Sequence, residues 1–164
     1  MDQGRSIFLE HFKPLAGIAD VRLISLRKGS GVEQLSRGFA RGGGETFGET
    51  LDPGEDAFVG TAAVMSCLDL VVTSDTSIAH LAGALGVPCW VALKFVPDWR
   101  WMLERRDSPY YPSLRLFRQR TRGDWSSVFA DIAQAVEERR RRARATPANS
   151  TPPDISTAPL IPTS

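Results

Sequence analysis

Ser74-Asp75-Thr76-Ser77 and His80 fall within one short stretch, and the run SDTSIAHLAGALGVPCWVAL, residues 74 to 93, contains no Lys, Arg or Glu. Hydroxyls and an imidazole at this spacing can serve an anion. If the quartet opens a helix, the first backbone N–H groups have no intrahelical acceptor and the helix dipole is positive there. Thr76 and Ser77 add hydroxyl donors, and His80, one turn further in, can donate to a phosphate or change its charge with pH. A plainer reading stands beside this one, in which Asp75 or Thr76 only caps the helix and His80 is structural.

A second group is Arg27-Lys28-Gly29-Ser30-Gly31. Its glycines allow a backbone to approach a ligand, and Lys28 supplies a point charge for phosphate. The spacing fits neither a P-loop nor a GxGxxG fingerprint, which counts against ATP hydrolysis and dinucleotide binding.

The elements that must carry these groups alternate along the chain. A helix is expected over 6–17, capped by Ser6, and a short strand over 21–27. A brief helix over 31–38 precedes a Gly-rich connection, 41–55, that holds at most one short strand. Residues 55–67 form a helix with Phe58, Ala62 and Met65 at helical spacing, 69–74 a buried strand, and 76–86 a helix stopped by Gly86 and Pro88. Strands follow over 88–93 and 113–119. Asp124 then caps a last helix whose Trp125, Val128, Phe129, Ile132, Ala133 and Val136 form one stripe.

Charge-free strands alternating with helices predict the α/β class: a Rossmann-like parallel sheet with helices on both faces. Both candidate groups then lie at carboxyl ends of strands, where ligands of such sheets sit. Residues 1–145 are expected to form this domain and the Pro/Ser/Thr-rich residues 146–164 a disordered tail. On the helix after Ser74, Ile78, Leu81, Ala82 and Leu85 make the apolar stripe, and Thr76, His80, Gly83 and Ala84 the opposite face. That opposite face is too small and uncharged for open solvent and too polar at its start for a core, so it should border a cleft with something packed over it.

With 164 residues, 42% of them apolar, the chain can bury one sizeable core. A net charge of +1 provides no field for nucleic acid or anionic membrane. The basic run from Arg139 to Arg144 reads as the solvated end of the last helix. Cys67 and Cys89 lie in apolar segments and read as small hydrophobes in a reducing compartment. With no leader and no membrane span, a cytoplasmic location is expected. Asn149-Ser150-Thr151 matches a glycosylation sequon by chance. Trp99, Trp101, Tyr110 and Tyr111 crowd one connection, where rings either stack on a base or sugar or pack a core. A flavodoxin-like signalling domain would need acidic residues clustered at strand ends, and Asp69 and Asp75 flank one strand at opposite ends.

DLVVTSDTSIAHLAGALGVPCWVAL, continued by FVPDWRWMLERRDSPYYPSLRLFRQ, resembles the C-terminal half of glycosyltransferase family 9, the heptosyltransferase-like enzymes, especially those fused to tetratricopeptide repeats in bacteria. The resemblance runs from about Arg5 to Val136. It implies the donor-binding half of a GT-B architecture, with Lys28 at the donor's phosphate or sugar and Asp75, Thr76, Ser77 and His80 around the pyrophosphate. It also implies an ADP- or UDP-linked sugar as ligand, no metal and no cofactor, and sugar transfer to an acceptor hydroxyl. The family usually carries Gly where Ser77 stands. Its first strand, its acceptor domain and the catalytic base in that domain would precede Arg5, so the partner expected is an N-terminal acceptor domain or tetratricopeptide-repeat region. A donor-binding half without turnover of its own is the expectation, and a non-catalytic nucleotide- or partner-binding remnant is the alternative.

Overall fold

The computed structural model describes residues 7–27, 44–47, 50–52 and 58–145. Within them the chain is mixed α/β, with two small parallel sheets flanked by helices, an arrangement compatible with a Rossmann-like fold. Strands β1 (Leu23–Ser25) and β2 (Gly44–Thr46) pair in parallel, with Leu23 opposite Gly44. Strands β3 (Val71–Ser74), β4 (Cys89–Leu93) and β5 (Leu114–Arg118) form the other sheet in the order β3-β4-β5. Val71 faces Cys89, and Cys89 faces Leu114, so the carboxyl ends of all three strands share one edge.

Every residue of β4 is buried, as a central strand covered on both faces requires. Side chains alternate across a strand, and β4 divides the core accordingly. Cys89, Val91 and Leu93 pack with Met65 of helix α2 (Val59–Ser66), with Ala79 and Ala82 of α3 (Ser77–Ala84) and with Trp101. Trp90 and Ala92 pack on the other side with Leu15 of α1 (Lys13–Ala16) and with Trp125, Val128, Phe129 and Ile132 of α4 (Trp125–Ala145). At about 1.5–3 kcal/mol for each large side chain fully buried, these two clusters supply most of the favourable free energy of folding.

The last helix forms as its sequence predicts: Asp124 Oδ1 accepts from the Ser127 amide at 3.0 Å, and the apolar stripe lies on the sheet. The first helix does not. A 3-10 turn, Leu9–Phe12, runs into the four residues of α1, because Pro14 stands in its first turn; a proline has no amide to give and its ring clashes with the carbonyl four residues back. Phe58, expected to begin the stripe of α2, instead precedes that helix at φ 74°. Asp52 caps α2 from outside the helix, Oδ1 accepting from the amides of Gly60 and Thr61 and Oδ2 from the Thr61 hydroxyl. The brief strand expected in the Gly-rich connection is β2, whereas the helix expected over 31–38, the Ser6 cap and the tail 146–164 lie outside the described residues.

The basic end of α4 is exposed but engaged. Arg140 and Arg144 both reach the Asp20 carboxylate, and Arg139 donates to the Asp69 carbonyl at 3.1 Å. Exposed pairs of this kind are worth about 0–1 kcal/mol each, so they orient the helix end more than they hold the fold. Among the described residues no helix is long and apolar enough to cross a membrane.

The two cysteines differ from the common role expected for them. Cys89 lies in the core and burial pushes its thiol up to about 12, while Cys67, the C-cap of α2, is exposed. A thiol reagent at mildly alkaline pH should therefore modify one cysteine per native chain, Cys67, and a second only after denaturation. Rapid modification of both thiols in the native protein would contradict this packing of β4.

Candidate functional site

Strand β3 ends at Ser74, and α3 begins at Ser77, so only Asp75 and Thr76 separate sheet from helix. This brings four of the five predicted residues, Asp75, Thr76, Ser77 and His80, to one place at the carboxyl edge of the sheet. Lys28 lies outside the described residues.

The local geometry decides the capping question. Thr76 occupies the N-cap position with extended backbone (φ −138°, ψ 172°), yet its side chain makes no cap hydrogen bond. Its hydroxyl pairs with Thr73 Oγ1 at 3.2 Å and with the Ser74 carbonyl at 3.5 Å. The Ala79 amide turns back to the Thr76 carbonyl at 3.1 Å. Among the described residues no side chain accepts from the amides of Ser77 or Ile78, and Thr76 and Ser77 are exposed. A side-chain cap is typically worth about 1 kcal/mol, and α3 forgoes it.

His80 is half-buried beneath the connection between β4 and β5. Its ring stacks on Trp101 at 5.3 Å between centroids and meets Tyr111 edge-on at 5.8 Å, and Nδ1 lies 3.3 Å from the Tyr111 hydroxyl. One turn on, Gly83 leaves room for the Tyr111 ring: a Cβ built there would stand 2.4 Å from Tyr111 Cγ. The uncharged helix face is thus explained by the chain itself, since His80 and Gly83 are covered by Trp101 and Tyr111. Only Thr76 and Ala84 of that face are exposed. Of the expected stripe, Ile78, Leu81 and Ala82 do pack on the core, joined by Ala79, while Leu85 does not. Ala79 and Ala82 are fully buried, whereas Leu85, past the helix end and before the Gly86 turn at φ 70°, is exposed.

Several residues that shape the site went unnoticed in the sequence. Arg118, at the end of β5, donates to four backbone carbonyls of the covering connection, those of Trp101, Met102, Leu103 and Arg105. It holds in place the loop that seats Trp101 on His80. Burial of this guanidinium lowers its proton affinity from the usual arginine value. Gln119 does similar work, its Oε1 accepting from the amides of Phe95 and Gly123. Trp101 is 0% exposed, and its indole N–H has no hydrogen-bond partner. A Lys directly after the apolar run CWVAL was the signal for Lys94, which lines a shallow depression with Ser74, Asp75, Pro97 and Trp125 at the ends of β3 and β4.

The 3-10 turn Trp99–Trp101 carries the charges nearest the helix start. Asp98 Oδ1 accepts from the Arg100 amide at 3.1 Å and from Arg100 Nε at 2.8 Å. The Arg100 guanidinium holds the Asp98 carboxyl below the usual carboxylate range, with His80 as a weaker cause. A depressed carboxyl favours the folded state above its unfolded pKa and loses that contribution as pH falls through the folded value, so the pair persists at neutral pH. Arg100 in turn lies within electrostatic reach of Asp75 and Tyr110. Among the described residues no three His, Cys, Asp or Glu side chains gather as a metal site would need.

Comparison with protein-family models, with curated proteins and with solved structures finds no match.

The contact of Tyr111 with α3 is open to a direct test. Gly83→Ala would gain up to about 1 kcal/mol of helix propensity on an open face, but here the new methyl meets the Tyr111 ring and should cost about 1–3 kcal/mol net. Denaturant unfolding should show that loss, and Tyr111→Ala in the same chain should remove most of it. A Gly83→Ala protein as stable as the parent would place Tyr111 elsewhere.

Proposed function

We propose that this domain is the nucleotide-sugar donor-binding half of a metal-independent, heptosyltransferase-like glycosyltransferase of GT-B architecture. The observation that carries the reading is the uncapped start of α3: a strand of a parallel sheet delivers the chain to a helix that begins at the exposed residues Thr76 and Ser77 and whose first amides have no side-chain acceptor among the described residues, with an imidazole fixed one turn further in. The resemblance of residues 69–119 to that family adds independent support. In this reading the diphosphate of the donor takes the amides and hydroxyls of Thr76 and Ser77, and His80 and Lys28 add positive or donor groups.

Chemistry at such a site is displacement at the anomeric carbon. An acceptor hydroxyl forms the new C–O bond as the bond to the diphosphate breaks, and the leaving group takes up a full additional negative charge. Preorganised amides and an oriented imidazole stabilise that charge where it develops, at no cost in reorganisation. Asp75 beside the same turn would repel the diphosphate, and Arg100 within reach offsets it. The base that activates the acceptor hydroxyl belongs to an acceptor domain in this family pattern, so the role proposed for these residues is donor binding.

Calorimetric titration of the full chain with ADP- and UDP-linked sugars tests this. One of the two series should give saturable heat that disappears when the diphosphate is absent. His80→Ala and Lys28→Ala should each weaken binding about tenfold, the loss of one charge-assisted contact. Absence of saturable heat with both series, or sugar transfer by the purified chain alone, would overturn the proposal.

A further inference from the structure

Trp99 is the most exposed large apolar side chain among the described residues, at 76%, although the tryptophan two positions on is completely buried. An indole left in water forgoes the free energy of burial, and tryptophan is enriched at interfaces where an apolar body meets a wet edge. The turn that displays it is tied to its surroundings at both ends. Trp101 anchors its end beneath His80, Asp98 closes its start through two bonds to Arg100, and Arg118 grips the carbonyls that follow.

The polar groups beside the ring are incompletely used. Both bonds to Asp98 go to Oδ1, leaving Oδ2 with no protein partner among the described residues. Arg100 spends its amide and Nε on Asp98, so its Nη1 and Nη2 likewise have none. One acceptor and a set of donors next to a flat apolar ring match a neutral ring that bears neighbouring hydroxyls and has a C–H face, which is a pyranose. A second phosphate site fits poorly, because the Arg100 guanidinium is already paired with the Asp98 carboxylate.

We infer that the Asp98-Trp99-Arg100 turn is the sugar-recognition element of the donor site, with the Trp99 indole under the apolar face of the pyranose and Asp98 Oδ2 and Arg100 Nη on adjacent hydroxyls. This rests on the donor reading above: the sugar hangs from the diphosphate placed at α3, and the turn is held against that helix by the stacking of Trp101 on His80 at 5.3 Å between ring centroids. The turn sets which sugar is held, while the helix start holds the diphosphate common to all donors.

The experiment separates the two claims. Calorimetry on the full chain compares ADP and UDP with their glucose, N-acetylglucosamine and heptose conjugates. At least one conjugate should bind about tenfold more tightly than its own diphosphate, the combined effect of ring stacking and hydroxyl contacts. Trp99→Ala should abolish that difference while the affinity for the bare diphosphate stays within about twofold, since the indole is not assigned to phosphate. If Trp99→Ala weakens diphosphate and conjugate equally, the ring serves the base and the inference falls; it falls also if no conjugate exceeds its diphosphate. If neither diphosphate binds the parent chain, the donor reading fails by itself. The indole N–H resonance of Trp99, identified by its loss in Trp99→Phe, is then titrated with methyl glucopyranoside: a saturable shift upholds sugar recognition at the turn and none refutes it.

Discussion

The approach of the Tyr111 ring to Gly83 is the constraint on which the site depends. No side chain larger than hydrogen fits between them, since a Cβ would stand 2.4 Å from the ring. With that gap closed, the Tyr111 hydroxyl comes to 3.3 Å from His80 Nδ1 and Trp101 stacks on the imidazole from another side. The imidazole therefore has one orientation, set by two rings from the next crossover. The start of the same helix is left uncapped. A fixed imidazole that can donate and a set of amides with no side-chain cap on one helix are what an anion site needs, and the packing supplies the first without capping the second.

Much of the scaffold is readable from the residues themselves. Strand β4 is apolar throughout because both of its faces are covered, and α4 announces itself by an Asp cap and a stripe at helical spacing. The candidate residues Asp75, Thr76, Ser77 and His80 are adjacent in sequence, so any helix start there brings them together. Errors arise where a local pattern is overridden by something distant. Pro14 divides the expected first helix into a 3-10 turn and four α-helical residues, and Asp52 caps α2 from well before the helix in sequence. The inward face of α3 takes in Ala79 as well as the expected Ala82, because a periodicity count weighs alanine little while a sheet packed at close range selects it.

Arg118, Gln119 and Arg100 were illegible for a different reason. Each acts through backbone carbonyls, backbone amides or a neighbour two residues away, and none of these partners has a sequence signature. Their combined effect is to make the β4 to β5 connection a fitted cover over α3. The absence of charge from 76 to 93, legible at once, is explained by that cover for His80 and Gly83. What the cover leaves exposed of that face is Thr76 at the helix start and Ala84 at its end.

The account stands on the amides at the start of α3 being available to an anion. A two-dimensional 1H–15N spectrum of the full chain, titrated with inorganic pyrophosphate at fixed ionic strength, measures this residue by residue. The account predicts saturable shifts at the amides of Thr76, Ser77 and Ile78 and at the His80 ring, largest at the helix start, with the amides of β4 unmoved. Shifts confined to the Arg139 to Arg144 region, with the α3 amides unchanged, would contradict it.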